Sequence, residues 1–93
     1  MDTEMVLAVP IEQENIGPMK RISGTGTLLN ITPDNIVEAK IIIIKCKNKT
    51  LTFRAVCKNP PAIGEKLSFT GEVPEVVLNL RDIYVYGGKI LRW

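Results

Sequence analysis

The chain has 93 residues, enough for one small domain, with an ordinary globular content of 45% apolar and 24% charged residues. It contains no histidine and only two cysteines, which excludes imidazole acid–base catalysis, histidine-based triads and a four-ligand Cys/His zinc site. The net charge of +2 is unevenly distributed, because residues 1–19 carry four acidic and no basic side chains, whereas residues 40–66 carry seven basic ones against Glu65.

The N-terminal segment is acidic where a signal peptide would be basic, and no apolar run approaches the ~20 residues that span a bilayer. We therefore expect a cytoplasmic protein in a reducing environment, without a membrane partner.

Pro10, Gly17 and Pro18 interrupt residues 1–19. We expect an acidic arm or an extra strand there, with Met5–Val9 as its apolar part, ahead of a domain over residues 20–93.

The first strand-forming run covers residues 20–31 and contains Gly24 and Gly26, which are typical of a strand that bends sharply. Thr32-Pro33-Asp34-Asn35 then predicts a turn. The second and third runs, residues 36–46 and 50–57, are joined by a short polar link and predict a hairpin.

The fourth run, residues 66–73, alternates with the period of two that marks a half-buried strand. Its inward residues are predicted to be Leu67, Phe69, Gly71 and Val73. The last run, Ile83–Tyr86, precedes Gly87-Gly88, where we expect the chain to turn back into residues 89–93. Short links and the absence of a helical period beyond residue 20 favour an all-β antiparallel barrel or sandwich.

Three features of this pattern resemble the OB-fold domains that bind single-stranded nucleic acid. They are a first strand with internal glycines, a lysine-rich hairpin, and the segment from Gly64 to Val73, which a glycine opens and Gly71 closes; the segment from Asp82 to Gly88 is similar to a closing fifth strand. The resemblance covers residues 20–90. It implies a five-stranded antiparallel OB-type Greek-key barrel, although the helix that OB domains often place between strands three and four is missing.

The hairpin can be assigned a register from its link. If it turns at Asn48-Lys49, the numbers of paired residues sum to 97. One face is then predicted to be core, and it comprises Ile42, Ile44, Cys46, Leu51, Phe53, Ala55 and Cys57. The opposite face mixes aliphatic and cationic side chains, which is unusual for a plain solvent surface: Ile41, Ile43, Lys45, Thr52, Arg54, Val56 and Lys58.

OB domains bind single strands on this outer hairpin face, so the resemblance implies a non-enzymatic protein that binds single-stranded DNA, or RNA, with little sequence preference. The predicted phosphate contacts are Lys45, Lys47, Arg54 and Lys58. The predicted supports for the bases are Ile43, Val56, Tyr84 and Tyr86. No cofactor or metal is expected.

Three alternatives stay open. The apolar hairpin face can be a protein interface in an assembly or adaptor barrel, including a homo-oligomer. Residues 1–19 can cover it instead. OB barrels also bind small molecules and oligosaccharides. Trp93 is either an anchor in the final strand or a contact for a partner.

The same register predicts two free thiols, because it separates Cys46 from Cys57 by roughly 20 Å along the ladder, beyond disulfide reach. Thiol titration of the unfolded protein without reductant should count two per chain. A count of zero in a monomeric protein would show that the two cysteines pair.

Overall fold

The computed structural model describes residues 5–8, 17–33, 39–57 and 59–92, and within these ranges the chain is all-β. The strands are β1 (Met5–Ala8), β2 (Met19–Pro33), β3 (Lys40–Cys46), β4 (Lys49–Val56), β5 (Lys66–Pro74), β6 (Asp82–Tyr84) and β7 (Tyr86–Arg92). A 3₁₀ turn covers Glu75–Val77. No helix in the described ranges is long and apolar enough to cross a membrane.

The 15-residue strand β2 organises the sheet because it takes part in two antiparallel ladders. It pairs with β5 from Met19 to Thr27 and with β3 from Thr27 to Pro33, so that both ladders meet at Thr27. Gly26 lies beside this junction and is buried. A Cβ there would overlap Ile44 Cγ2 and lie 2.6 Å from the Lys45 carbonyl oxygen, so glycine allows β3 to approach β2 closely enough for the sheet to curl.

The remaining pairings complete a curled sheet in the order β1-β7-β5-β2-β3-β4-β6. Its neighbours are antiparallel except for β4 and β6, which run parallel. β1 pairs with β7 over four residue pairs and also with β4, through Leu7–Val56 and Ala8–Ala55. Val85 lies between β6 and β7, and its amide donates to the Thr52 carbonyl of β4 at 2.9 Å. After Val85 the chain leaves β4 and pairs with β5 as β7.

The core lies inside the curl and is entirely apolar among the described residues. The pattern of alternation in β5 is confirmed, since Leu67, Phe69, Gly71 and Val73 are all buried. The rings of Phe53 and Phe69 meet at the centre, with centroids 5.8 Å apart and planes tilted by 60°. The other buried hydrophobic residues are Leu28, Ile42, Ile44, Leu51, Ala55, Ile83, Val85 and Ile90.

Two predictions about the strands were wrong. The expected five-stranded barrel is instead an open curled sheet of seven strands, because residues 5–8 form the extra strand β1 and the last run divides into β6 and β7. Gly87-Gly88 does not turn the chain back. Both glycines lie inside β7 with positive φ values of 63° and 139°, where Gly71–Gly88 and Glu72–Tyr86 pairings bracket a register shift.

The predicted hairpin register was also wrong, although its assignment of faces was largely right. The turn comprises Lys47 and Asn48, so that Cys46 pairs with Lys49 and the paired numbers sum to 95. Each partner therefore moves by two residues, which leaves every side chain on the same side of the pleat. Neither Cys46 nor Cys57 is in a disulfide. Both are half-buried rather than core residues, since Cys46 ends β3 and Cys57 follows β4.

Replacing Gly26 with Ala should lower the free energy of unfolding by about 2–3 kcal/mol, because the new methyl group meets a β-branched side chain and a backbone oxygen that cannot move independently. Ser23→Ala, at an exposed position of the same strand, should change it by less than about 0.5 kcal/mol. Urea unfolding of both variants measures the difference. Equal midpoints would contradict the close approach of β3 at Gly26.

Candidate functional site

The outward side of β3, β4 and β6 brings together most of the residues predicted to bind. We call it the hairpin face and define it by the outward positions of these three strands. Ile43 pairs with Thr52, and Thr52 pairs with Tyr84, so that these three residues form one row across the face. Neighbouring strands lie about 4.8 Å apart, which places Tyr84 and Ile43 about 10 Å from each other.

The predicted residues differ in exposure. Lys45, Lys47, Val56 and Tyr84 are exposed, whereas Ile43, Arg54 and Tyr86 are half-buried. Lys58 lies outside the described residues. Val56 is not grouped with the two lysines, because it ends β4 beside β1 while they lie at the other end of the hairpin. At 3.3 Å per residue, the length of β4 separates Val56 from that end by about 23 Å.

Tyr84 and Tyr86 form a near-parallel aromatic pair on the outward side of the last strands. Their ring centroids are 6.4 Å apart and their planes differ by 24°. The intervening Val85 and the preceding Ile83 are buried, which orients both tyrosines outward. Tyr84 keeps 41% of its surface exposed, so one ring of the pair is accessible to a flat ligand.

Three cations surround a shallow concavity at the turn end of the hairpin face. Lys45, Lys47 and Arg81 line it with Leu29, Asn48 and Thr50, around a volume of about 480 Å³. We call this group the cationic corner and define it by Lys45, Lys47 and Arg81. All three of these side chains are exposed. The strand row of Lys45 and Thr50 also contains the acidic Asp82, which accepts a hydrogen bond from the Thr50 hydroxyl.

Backbone and side-chain hydrogen bonds hold Arg81 at this corner. The amide of Thr50 donates to the Arg81 carbonyl at 2.9 Å. The Lys49 ammonium group donates to the carbonyls of Leu78 and Leu80 at 2.6 and 2.7 Å. The segment between β5 and β6 is therefore fastened to the hairpin turn.

Sequence reasoning missed Arg81 as a site residue. Arg81 precedes β6 in a segment without periodicity. Its proximity to the hairpin turn depends on the parallel pairing of β4 with β6. Parallel pairing of strands so distant in the chain leaves no local signal. The hydrogen bond between Lys49 and Leu78 also joins residues 29 positions apart, so it could not be predicted from the local sequence either.

No group of three or more Cys, Asp or Glu side chains in the described parts of the chain could hold a metal ion.

Comparison with known proteins identifies no relative: no family model, no curated protein and no solved structure matches the chain.

Proposed function

We propose that this chain is a non-enzymatic domain of OB type that binds single-stranded nucleic acid, with DNA favoured over RNA and little sequence preference. The observation that carries the proposal is the arrangement of the hairpin face, where a near-parallel tyrosine pair and the cationic corner lie on the same side of one curled sheet. Stacking surfaces beside a cationic track are the two components of sequence-tolerant single-strand binding.

The strand pairings support the OB assignment. β2, β3, β4 and β5 correspond to the first four strands, and β6 with β7 corresponds to a fifth strand that bends at Val85. β1 is then an addition to a partly open Greek-key barrel. OB domains bind ligands on the face of strands two and three and at the loop between strands four and five. Here these are the β3–β4 hairpin and the segment that ends at Arg81.

The tyrosine geometry favours stacking on one side of the pair. Inserting a base between two rings needs about 7 Å, since each of the two contacts requires about 3.5 Å. The centroids of Tyr84 and Tyr86 are only 6.4 Å apart. A base therefore stacks on the accessible side of Tyr84, and Tyr86 supports that ring from behind.

The charge of the face suits a polyanion. Lys45, Lys47, Arg54 and Arg81 lie on it or at its edge, while Asp82 is the one acidic residue that the described parts of β3, β4 and β6 contribute. Of the acidic residues elsewhere, Glu65 forms an ion pair with Arg92 at 3.0 Å. Among the described residues, phosphates approaching the cationic corner thus meet three cations and one nearby carboxylate, that of Asp82, which favours binding at low salt.

A second candidate function is an assembly or adaptor domain whose hairpin face contacts a protein. The exposed Val56, with 54% of its surface accessible, supports it, as do the half-buried Ile41 and Ile43. Interfaces of this kind have apolar centres with polar rims. This candidate predicts association that depends on aliphatic side chains and changes little with salt.

Titration of a labelled single-stranded oligonucleotide at several salt concentrations tests the electrostatic part of the proposal. Four phosphate contacts give a slope of log K against log salt of about −3, since each contributes about −0.7 on a single strand. Replacing Lys45 and Lys47 together with Ala should make the slope shallower by about 1.4.

The matched control removes the same charge from elsewhere, through Lys20→Ala with Lys89→Ala. Both residues are exposed, on β2 and β7 respectively, and this variant should keep the wild-type slope. If the wild-type protein does not bind oligonucleotides at low salt, the proposal is wrong. If the wild-type protein self-associates and Ile43→Asp or Val56→Asp abolishes this association, the adaptor function replaces the nucleic-acid proposal.

Stacking is tested separately by Tyr84→Ala and Tyr84→Phe. Loss of the ring should weaken binding by about 1–3 kcal/mol, the usual contribution of one stacked base, whereas Phe keeps the aromatic surface and should bind within about twofold of wild type. Affinities at one fixed salt concentration give the comparison. Equal losses in both variants would assign the effect to the hydroxyl group instead of the ring.

A further inference from the structure

A second concavity opens at the turn end of the curled sheet, on the inside of the curl instead of on the hairpin face. It encloses about 480 Å³, within the 300–1,000 Å³ range of small-molecule pockets. Its walls come from the first half of β2, the hairpin turn, β5, β6 and the segment after the 3₁₀ turn. The apolar lining consists of Ile22, Cys46, Leu51, Phe69, Leu78 and Ile83.

The core reaches the surface at this pocket. Leu51, Phe69 and Ile83 keep 3–4% of their surface accessible, whereas every other buried core residue keeps 0–1%. All three line the pocket. Among the described residues the core therefore comes nearest to the surface here, and the half-buried Ile22, Cys46 and Leu78 supply accessible apolar surface whose burial by a ligand is favourable.

Gly24 creates part of the space. A Cβ at this position would lie 3.2 Å from Phe69 Cζ and 3.8 Å from Cys46 Sγ, so any side chain would project between the ring and the thiol. Gly26 lets two strands approach each other, whereas Gly24 leaves space beside the edge of Phe69. The two glycines of β2 thus have different roles.

The polar residues that line the pocket favour a ligand with a negative charge. Lys47 and Lys49 line the pocket, and none of the Asp or Glu residues that the structure describes does. The Lys49 ammonium group uses two of its three N–H donors on the carbonyls of Leu78 and Leu80. Its position is thereby fixed, and its third donor can bind an anionic group without the entropy cost of ordering a free lysine.

We propose that this pocket binds a medium-chain aliphatic carboxylate, with the chain against Ile22, Leu78 and the edge of Phe69 and the carboxylate at Lys49 and Lys47. This pocket opens on the inside of the curl and shares Lys47 with the cationic corner, but its apolar part does not depend on nucleic-acid binding. The ligand class follows from an apolar cavity with a fixed cation and, among the described residues, no carboxylate in its lining.

The two cysteines, neither of which is in a disulfide, provide the test, with sodium decanoate as the probe. Cys46 lines the pocket, whereas Cys57 follows the far end of β4, about 25 Å away along the strand. Saturating decanoate, below its micelle concentration, should slow iodoacetamide alkylation of Cys46 about tenfold and leave the rate at Cys57 unchanged. Mass spectrometry of the two cysteine peptides gives both rates from one sample.

Two comparisons test the headgroup and the pocket. Decanol has the same chain without the charge and should bind about tenfold more weakly than decanoate. Lys47→Ala should weaken decanoate binding, while Lys45→Ala, a neighbouring exposed lysine outside the pocket, should not. Gly24→Val should abolish protection of Cys46 because it fills the cavity beside Phe69.

Absence of Cys46 protection in the wild-type protein overturns the proposal, and so does equal protection of both cysteines, which indicates non-specific association. Equal affinity for decanol and decanoate overturns the assignment of the headgroup. The wild-type measurement decides the outcome even if Gly24→Val does not fold. Oligonucleotide binding is measured independently, so failure of either proposal leaves the other standing.

Discussion

The close contact between β2 and β3 at Gly26 is the constraint on which the rest of the structure depends. One strand can serve two ladders only if it bends where the ladders meet, and the bend requires that no side chain stands between the β2 backbone and Lys45. Once β2 is shared, β5 and β3 are placed on its two sides. The strands that follow them then enclose the apolar core and leave the hairpin face outside.

The sequence predicted the local features of this fold well, because strand faces depend on a period of two. The buried residues of β4 and β5 follow from alternation alone, and the hairpin error of two residues did not exchange the faces. The division of the last strand at Val85 could not be predicted. It depends on the Val85 amide donating to Thr52, a residue 33 positions earlier whose proximity results from parallel pairing.

The candidate site was predictable where it lies within one hairpin and unpredictable where it joins distant segments. Lys45, Ile43 and Arg54 were assigned to the outer face from the hairpin pattern, and Tyr84 with Tyr86 from the alternation around Val85. Arg81 reaches the cationic corner through contacts of Lys49 and Thr50 with residues about 30 positions away. Charge patterning indicated a basic region, but the three-dimensional grouping of its cations required the pairing of β4 with β6.

The double pairing of β1 with β7 and β4 has a consequence for folding during synthesis. Residues 5–8 find most of their partners at residues 88–91, so this part of the sheet cannot form until nearly the whole described chain has left the ribosome. Long-range pairing of this kind makes folding slow. Until β7 arrives, β5 lacks its second neighbour and the aliphatic run of β3 lies in a partly assembled sheet. Until β7 has been synthesised, the nascent chain therefore exposes unpaired strand edges, which favour aggregation.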